Sequence, residues 1–389
     1  MKPLLPLLLL LPLLGGCGTM ADPREWFGSD SGPEPSELQP IETRLAPQSL
    51  FEADVGEGAR RFNRLVPAVD GDNLYTIDTE GHLQARDRFT GRLLWEVATG
   101  LPASGGPGAA DGILAVGTQE GDLVVFDQAN GAELWRKRLS SEILSVPAIG
   151  NGLVVVHTED GNLYGLDAGG GEQRWLYRQR PPVLSLHGTA SPVISGTTLF
   201  CGLAGGKLVA LNLETGALEW EGHVTIPAGR TELERMVDVD ADPLVYNGTL
   251  YAAAYQGDVV AVGEGSGKVF WKRKLSSYNN MAVNWQQLVV SDDQGRLWSL
   301  DPDTGSARWR VESLRYRQLS PPAILGDYVV VGDFEGYLHW FAADDGAPVA
   351  RQKIAGGAIV AQPRVVDDEI LYVLATDGTL AALKLPAAQ

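Results

Sequence analysis

Side chains capable of chemistry are few in this chain, and most of them stand alone. The histidines lack the spacing of a metal site; they are residues 82, 157, 187, 223 and 339. Neither a Gly-Lys-Ser/Thr phosphate loop nor a Gly-x-Ser-x-Gly nucleophile turn occurs. Asp238, Asp240 and Asp242 alternate, which places three carboxylates on one side of an extended chain. Pro243 and Thr249 stand where an EF-hand calcium loop needs Gly and Glu, so we expect no metal there.

The thiol of Cys17 ends an apolar N-terminal segment. Lys2 precedes the run Leu4–Leu14, which is too short to span a bilayer comfortably and is typical of a signal-peptide core. The ending Leu-Gly-Gly-Cys resembles a bacterial lipobox, in which small residues admit the peptidase and the Cys receives lipid. An ordinary cleaved signal is the alternative. We predict a signal peptide over residues 1–16 and a lipid anchor on Cys17.

The overall charge and the second cysteine restrict the function further. The chain carries 49 acidic and 31 basic residues, a formal charge of −18. Nucleic acid is therefore not expected as a partner, because phosphate binding needs a basic surface. With Cys17 lipidated, Cys201 has no partner for a disulfide within the chain. Cys201 lies in an apolar run and is predicted to be a buried strand residue.

The elements that position these residues follow a fifteen-residue repeat, Gly-x-Leu-x-x-x-Asp-x-x-x-Gly-x-x-x-Trp, which is clearest at 121–135. Its Gly, Asp and Trp suit a turn, a turn-capping carboxylate and the packing between sheets. A fourth, inner strand with a Pro-Ala-like start precedes each trio of strands. Four-stranded units at about forty-residue intervals predict a β-propeller. The copies start at eight glycines, residues 81, 121, 161, 206, 257, 295, 336 and 378, and the last two decay.

The eighth copy stops at Gln389, before its Trp strand. The segment Ser49–Val55 resembles the Trp strands, with Phe51 in the Trp place, and can supply the missing strand. Closing the ring in this way hides two sheet edges. We therefore predict an all-β fold: an eight-bladed β-propeller of four-stranded antiparallel blades over residues 48–389, closed by the N-terminal strand. Residues 17–47 are predicted to be a lipidated, flexible tether.

Two links between repeats are longer than the others. From a Trp to the next repeat Gly the distance is usually 24 to 27 residues, but it is 31 after Trp175 and 37 after Trp220. Insertions of this kind emerge on one face of a propeller and suggest a binding surface. Within them, Leu184 and Leu186 lie beside charged residues, as in a small protein-binding patch. The alternative is that these leucines only hold their own loop against the blade.

Together with the lipobox and the repeats, the stretches Arg230–Pro243 and Val331–Trp340 make the chain resemble the BamB family, lipoproteins of the β-barrel assembly machinery of Gram-negative outer membranes. The resemblance implies a non-enzymatic propeller that binds the periplasmic POTRA domains of BamA and assists delivery of unfolded outer-membrane proteins. It implies attachment by the N-terminal lipid to the periplasmic face of the outer membrane, with which Gly18 agrees.

The same resemblance implies which residues contact BamA. The family uses a Leu-x-Leu-Arg loop and an Asp-x-Asp loop, which correspond here to Leu184, Leu186, His187, Asp238 and Asp240. His187 departs from the family Arg, and a neutral imidazole loses the permanent charge and the forked donor. Three nearby arginines are candidates to compensate, namely Arg178, Arg180 and Arg235.

Two other classes of function are weighed against this one. A pyrroloquinoline-quinone dehydrogenase is built on a similar Trp-motif propeller and holds the quinone and Ca²⁺ over the ring axis. Many such enzymes carry adjacent cysteines and are longer, whereas this chain has two separate cysteines, so we expect neither enzyme activity nor a cofactor. A different cell-envelope binding propeller is the second alternative.

Overall fold

The structure is a computed structural model, and it describes residues 33–58, 63–180, 182, 184, 188–228, 230, 231, 233 and 235–387. The regular secondary structure of these residues consists of strands, β1 to β33, which form eight sheets. No helix long and apolar enough to cross a membrane occurs among the described residues. The predicted all-β, eight-bladed propeller is confirmed.

Strands β1 (Gln48–Asp54) and β2 (Arg64–Leu65) come before the first blade. The inner-to-outer strands of blades 1 to 4 are β3 (Ala68–Asp70), β4 (Asn73–Ile77), β5 (His82–Asp87), β6 (Leu93–Ala98); β7 (Ala103–Ala110), β8 (Ile113–Thr118), β9 (Asp122–Asp127), β10 (Glu133–Arg138); β11 (Ala148–Gly150), β12 (Leu153–His157), β13 (Asn162–Asp167), β14 (Gln173–Arg178); β15 (Val193–Ser195), β16 (Thr198–Leu203), β17 (Lys207–Asn212), β18 (Leu218–His223). Those of blades 5 to 8 are β19 (Leu244–Tyr246), β20 (Thr249–Ala253), β21 (Asp258–Gly263), β22 (Val269–Lys274); β23 (Ala282–Val283), β24 (Leu288–Ser291), β25 (Leu297–Leu300), β26 (Ala307–Val311); β27 (Ala323–Leu325), β28 (Tyr328–Gly332), β29 (Tyr337–Ala342), β30 (Pro348–Lys353); β31 (Arg364–Val366), β32 (Ile370–Leu374), β33 (Thr379–Lys384), with β1 outermost.

The ring closes as the sequence predicts. Strand β1 pairs antiparallel with β33, with Phe51 opposite Ala382, and becomes the outer strand of blade 8. The Phe51 ring packs on the turn at Gly91 in blade 1, where a Cβ would lie 2.4 Å from the ring. Strands from both ends of the fold therefore complete one blade, and the join is held by both hydrogen bonds and aromatic packing.

The repeat tryptophans connect each blade to the next. Trp95 of blade 1 donates from Nε1 to the Gln128 carbonyl of blade 2 at 3.0 Å and packs on Gly131. Gly131 has a φ of 70°, and a Cβ there would lie 2.7 Å from the indole, so only glycine fits. Equivalent indole hydrogen bonds link the next five pairs of blades; their donors are Trp135, Trp175, Trp220, Trp271 and Trp309.

The hydrophobic core lies between blades rather than at one centre. In the described residues it divides into eight clusters, and each cluster joins two neighbouring blades. One cluster, for example, packs Tyr75 of blade 1 against Leu114 and Phe126 of blade 2. Because the last cluster joins blade 8 back to blade 1, every blade is buried on both faces.

The folded body begins earlier than residue 48. The compact unit starts at Pro35. Ser36 donates from its amide to the Arg315 carbonyl at 2.9 Å, and Arg44 donates likewise to Val349 at 2.8 Å. Leu45 is buried beside Ala350, which occupies the Trp place of blade 7. Residues 35–47 thus pack on blades 6 and 7 instead of forming part of a tether, because Leu45 fills space that a repeat Trp fills elsewhere.

Candidate functional site

The two long links emerge on the same face of the ring. The first joins β14 of blade 3 to β15 of blade 4, and the second joins β18 of blade 4 to β19 of blade 5. Both run from an outer strand to the next inner strand. Because the strands of each blade alternate in direction, all such connections leave from one face. Adjacent links on one face can form a single surface.

The second link carries the three alternating aspartates, Asp238, Asp240 and Asp242. Val237, Val239 and Ala241 are buried beneath it, and the aspartates alternate with them on the other side. The carboxylate of Asp238 is itself buried and accepts a hydrogen bond from the Gly205 amide at 3.0 Å. The carbonyl of Asp238 accepts the Tyr255 amide at 2.9 Å. Asp238 therefore attaches the link to blades 4 and 5.

Asp240 lies in a cleft that both links share. The cleft is lined by Asp238 and Asp240 of the second link, by Gly188–Ala190 at the end of the first, and by Glu159 of blade 3. Burial, followed by the negative charge of Asp238, raises the pKa of Asp240 to about 7, and Arg64 opposes the rise. This carboxylate is therefore poised to change charge near neutral pH.

Asp242 is bound within the ring instead of lining the cleft. Its carboxylate accepts the Ser191 amide at 2.6 Å and the Asn280 side chain at 2.8 Å. Arg64 forms an ion pair with the same carboxylate and donates to the Asp240 carbonyl. The three aspartates thus have different roles. Asp238 and Asp240 line the cleft, whereas Asp242 holds the base of both links.

The two links that line the cleft also carry exposed apolar side chains. Leu184 is 37% exposed, and on the second link Leu233 is 66% and Ile226 70% exposed. Sequence reasoning did not single out Ile226, although an isolated apolar residue within an overlong link is a usable signal. The predicted arginines are also exposed; they are Arg178, Arg180 and Arg235. Leu186, His187 and Cys17 lie outside the described residues.

The buried polar groups beside the cleft are unreactive. Burial lowers the pKa of His157 to about 4, and its Nδ1 lies 3.0 Å from the Ala190 carbonyl. Burial raises the pKa of the Cys201 thiol well above its usual value, so the thiol stays protonated. The prediction of a buried Cys201 is confirmed. The arrangement is suited to binding a partner through apolar and charged contacts.

Comparison with known proteins agrees with the sequence resemblance. The chain matches the family model described as outer membrane protein assembly factor BamB over residues 79–311 and 299–386. The relative of that name from Alkalilimnicola ehrlichii is 51% identical, over 90% of this chain and 91% of its own length. The one from Pseudomonas aeruginosa is 48% identical, over 90% and 92%. This chain belongs to the BamB family.

Solved structures agree on the BamB fold. BamB from Moraxella catarrhalis matches with a TM-score of 0.80 at 26% identity, over 87% of this chain and all of that one. A quinohemoprotein alcohol dehydrogenase from Comamonas testosteroni matches with a TM-score of 0.67 at 14% identity, over 87% of this chain and 76% of the enzyme. At that identity the enzyme shares the propeller with the BamB family, and the likeness extends to the fold alone.

Proposed function

We propose that this protein is a non-enzymatic scaffold subunit of the outer-membrane β-barrel assembly complex. Its relatives at 51% and 48% identity are named outer membrane protein assembly factors. We further propose that it docks on the periplasmic POTRA domains of BamA through the face carrying the two long links. The observation that carries this proposal is an exposed Leu184 on the link whose end, Gly188–Ala190, shares a cleft with Asp238 and Asp240.

The apolar part of this docking surface supplies the affinity. Large apolar side chains exposed on loops of a rigid ring leave water only when a partner covers them, and such patches commonly mark interfaces. Leu184 and Leu186 are the proposed anchors, and Ile226 and Leu233 extend the patch.

The charged part of the docking surface orients the bound partner. Asp240 offers a carboxylate to a donor on the partner, and Asp238 keeps its link in place through Gly205. Arg178, Arg180 and Arg235 are exposed on or beside the two links and add positive charge there, on a chain whose net charge is −18. His187 stands where the family pattern has Arg, and we propose that these arginines replace that charge.

The alternative of a dehydrogenase is less well supported by the residues near the ring axis. Asp242 is bonded to Arg64 and Asn280, and Asn280 in turn donates to Gln362 at 3.3 Å. These polar groups already hydrogen-bond to one another. Saturable quinone binding with dye-linked turnover of an alcohol or sugar would instead favour the enzyme.

The docking proposal is tested by co-purification with BamA from detergent-solubilised envelopes. The double variant Leu184→Ala with Leu186→Ala should lose BamA, because each anchor truncation costs about 1 to 3 kcal/mol of binding free energy. The matched control is Leu134→Ala with Leu218→Ala; both leucines are 49% exposed and lie on outer strands β10 and β18. Undiminished recovery of BamA with a folded docking variant would contradict the proposal.

A further inference from the structure

A line of polar side chains crosses the inner end of the propeller. Ser191, Asp242, Asn280 and Gln362 each stand two residues before an inner strand, in blades 4, 5, 6 and 8. The inner strands of neighbouring blades contact one another around the axis, so these four positions converge there. Ser191 and Asn280 both bond to Asp242, and Gln362 bonds to Asn280 and to the Pro322 carbonyl of blade 7.

Arg64 reaches this line from the opposite side of the ring. Its backbone belongs to β2, which pairs in parallel with the inner strand of blade 2, Arg64 opposite Gly105. The neighbouring Leu65 is buried in the cluster between blades 1 and 2, which anchors the strand. Strand β2 thus lies at blades 1 and 2, whereas Asp240 and Asp242 belong to the link between blades 4 and 5, so the guanidinium spans the centre of the ring to meet them.

The contacts of Arg64 lie where the two long links meet. Asp242 belongs to the second link, and the amide that it accepts, Ser191, closes the first. One guanidinium nitrogen binds the Asp242 carboxylate, and the other binds the Asp240 carbonyl, two residues from the anchored Asp238. A forked, permanently charged donor can hold both acceptors at once.

We propose that Arg64 is a positioning residue for the docking surface: by holding Asp242 and the Asp240 carbonyl across the ring axis, it sets the placement of the two links relative to each other. The inference rests on the proposed docking function for its effect on binding. Its effect on the links does not require a partner.

The charge of Arg64 also acts on Asp240. The groups facing that carboxylate are Asp238 on its own link, Glu159 of the β12–β13 turn and Arg64 of β2. His157 stays neutral in this cleft above about pH 5, because its pKa lies at about 4. Of these charges, Arg64 favours the ionised form of Asp240, whereas Asp238 and Glu159 oppose it. Without Arg64, Asp240 should take up a proton at higher pH.

The test compares Arg64→Gln and Arg64→Lys in the full-length protein. The control is Arg88→Gln, which breaks the ion pair of Arg88 with Asp367 at 2.6 Å between blades 1 and 8, on the face opposite the links. Hydrogen exchange of the Ser191 amide reports the junction, with the amide of Trp340 in blade 7 as an internal reference. Calorimetry with purified POTRA domains of BamA, from pH 5.5 to 8.5, reports docking.

Arg64→Gln should speed exchange at Ser191 by about tenfold or more and weaken POTRA binding by a similar factor, since a hydrogen bond to a charged group is lost. The pH at which binding is half-maximal should rise. Arg64→Lys should keep that pH near the wild-type value while losing affinity, because it retains the charge but not the fork. Arg88→Gln should change none of these.

Wild-type exchange at Ser191 in Arg64→Gln would overturn the inference, as would an affinity loss equal at every pH with the half-binding pH unmoved. If the wild-type protein fails to bind POTRA domains, the docking proposal falls, and the exchange measurement alone decides the positioning role. Faster exchange confined to the links then supports it, and unchanged exchange refutes it.

Discussion

Replacing Asp240 by Asn should stabilise the protein at neutral and alkaline pH. The substitution keeps the size of the side chain and removes its charge. The pKa of Asp240 is raised by burial from 3.8 to about 7, so the folded state disfavours the ionised carboxylate. The unfolded chain ionises near 3.8, and the native state therefore binds an extra proton between about pH 4 and 7.

The sign and size of the stability change follow from this difference in pKa between the folded and unfolded states. The stability that Asp240 allows is fully present below about pH 4 and is lost as the pH rises through about 7. The full difference corresponds to about 4 kcal/mol at 1.36 kcal/mol per pH unit. Because the side chain is partly exposed, water screens the effect, and we expect Asp240→Asn to gain about 2 kcal/mol at pH 8.

Urea unfolding of the two proteins at pH 3.5, 5 and 8 measures the effect. The gain of Asp240→Asn should be largest at pH 8, smaller at pH 5 and absent at pH 3.5. Asp301→Asn is a control of opposite sign, because hydrogen bonds from Thr304 lower the pKa of Asp301. That variant should lose stability at pH 8. An Asp240→Asn gain that is equal at all three pH values would refute the electrostatic reasoning.

Three further predictions concern the closing strand and the cysteines. Phe51→Ala should cost about 2 to 4 kcal/mol of unfolding free energy in a denaturant titration, because it empties the join at Gly91, whereas Phe89→Ala, 44% exposed, should cost little. Cys17→Ser should move the protein from the membrane fraction to the periplasm on fractionation; retention on membranes would exclude the lipid anchor. In that variant, Cys201 should resist thiol reagents at pH 8 until the protein is unfolded, since it is buried and protonated.

Much of the architecture could be read from the chain because each repeat specifies its own blade locally. The proline starts predict six of the inner strands, β3, β11, β15, β19, β27 and β31. Each of these strands begins at the residue after a proline, namely Pro67, Pro147, Pro192, Pro243, Pro322 and Pro363. The Phe51 strand was identified by its likeness to the Trp strands, and β1 pairs as predicted. The boundary at residue 48 was too late, because residues 35–47 have no repeat pattern and pack on blades 6 and 7 through backbone bonds.

The candidate site was less predictable. Link length pointed to one face of the ring, and Asp238 and Asp240 line one cleft on that face. Alternation also grouped Asp242 with them, but its carboxylate is taken up by Ser191, Asn280 and Arg64. The sequence near Asp242 does not predict these hydrogen-bond and ion-pair partners.

The sequence by itself determined the number of blades, the way the ring closes and the two links that depart from the repeat. The blades and links depend on turns, strand periodicity and aromatic spacing, which act over fewer than about fifty residues, and the closing strand is recognised because its local sequence resembles the Trp strands. Only the tertiary structure decided that Arg64 meets an aspartate 178 residues away and that Asp240 ionises at about pH 7. Both depend on burial and charge brought together across the ring axis, and closing the ring creates that environment.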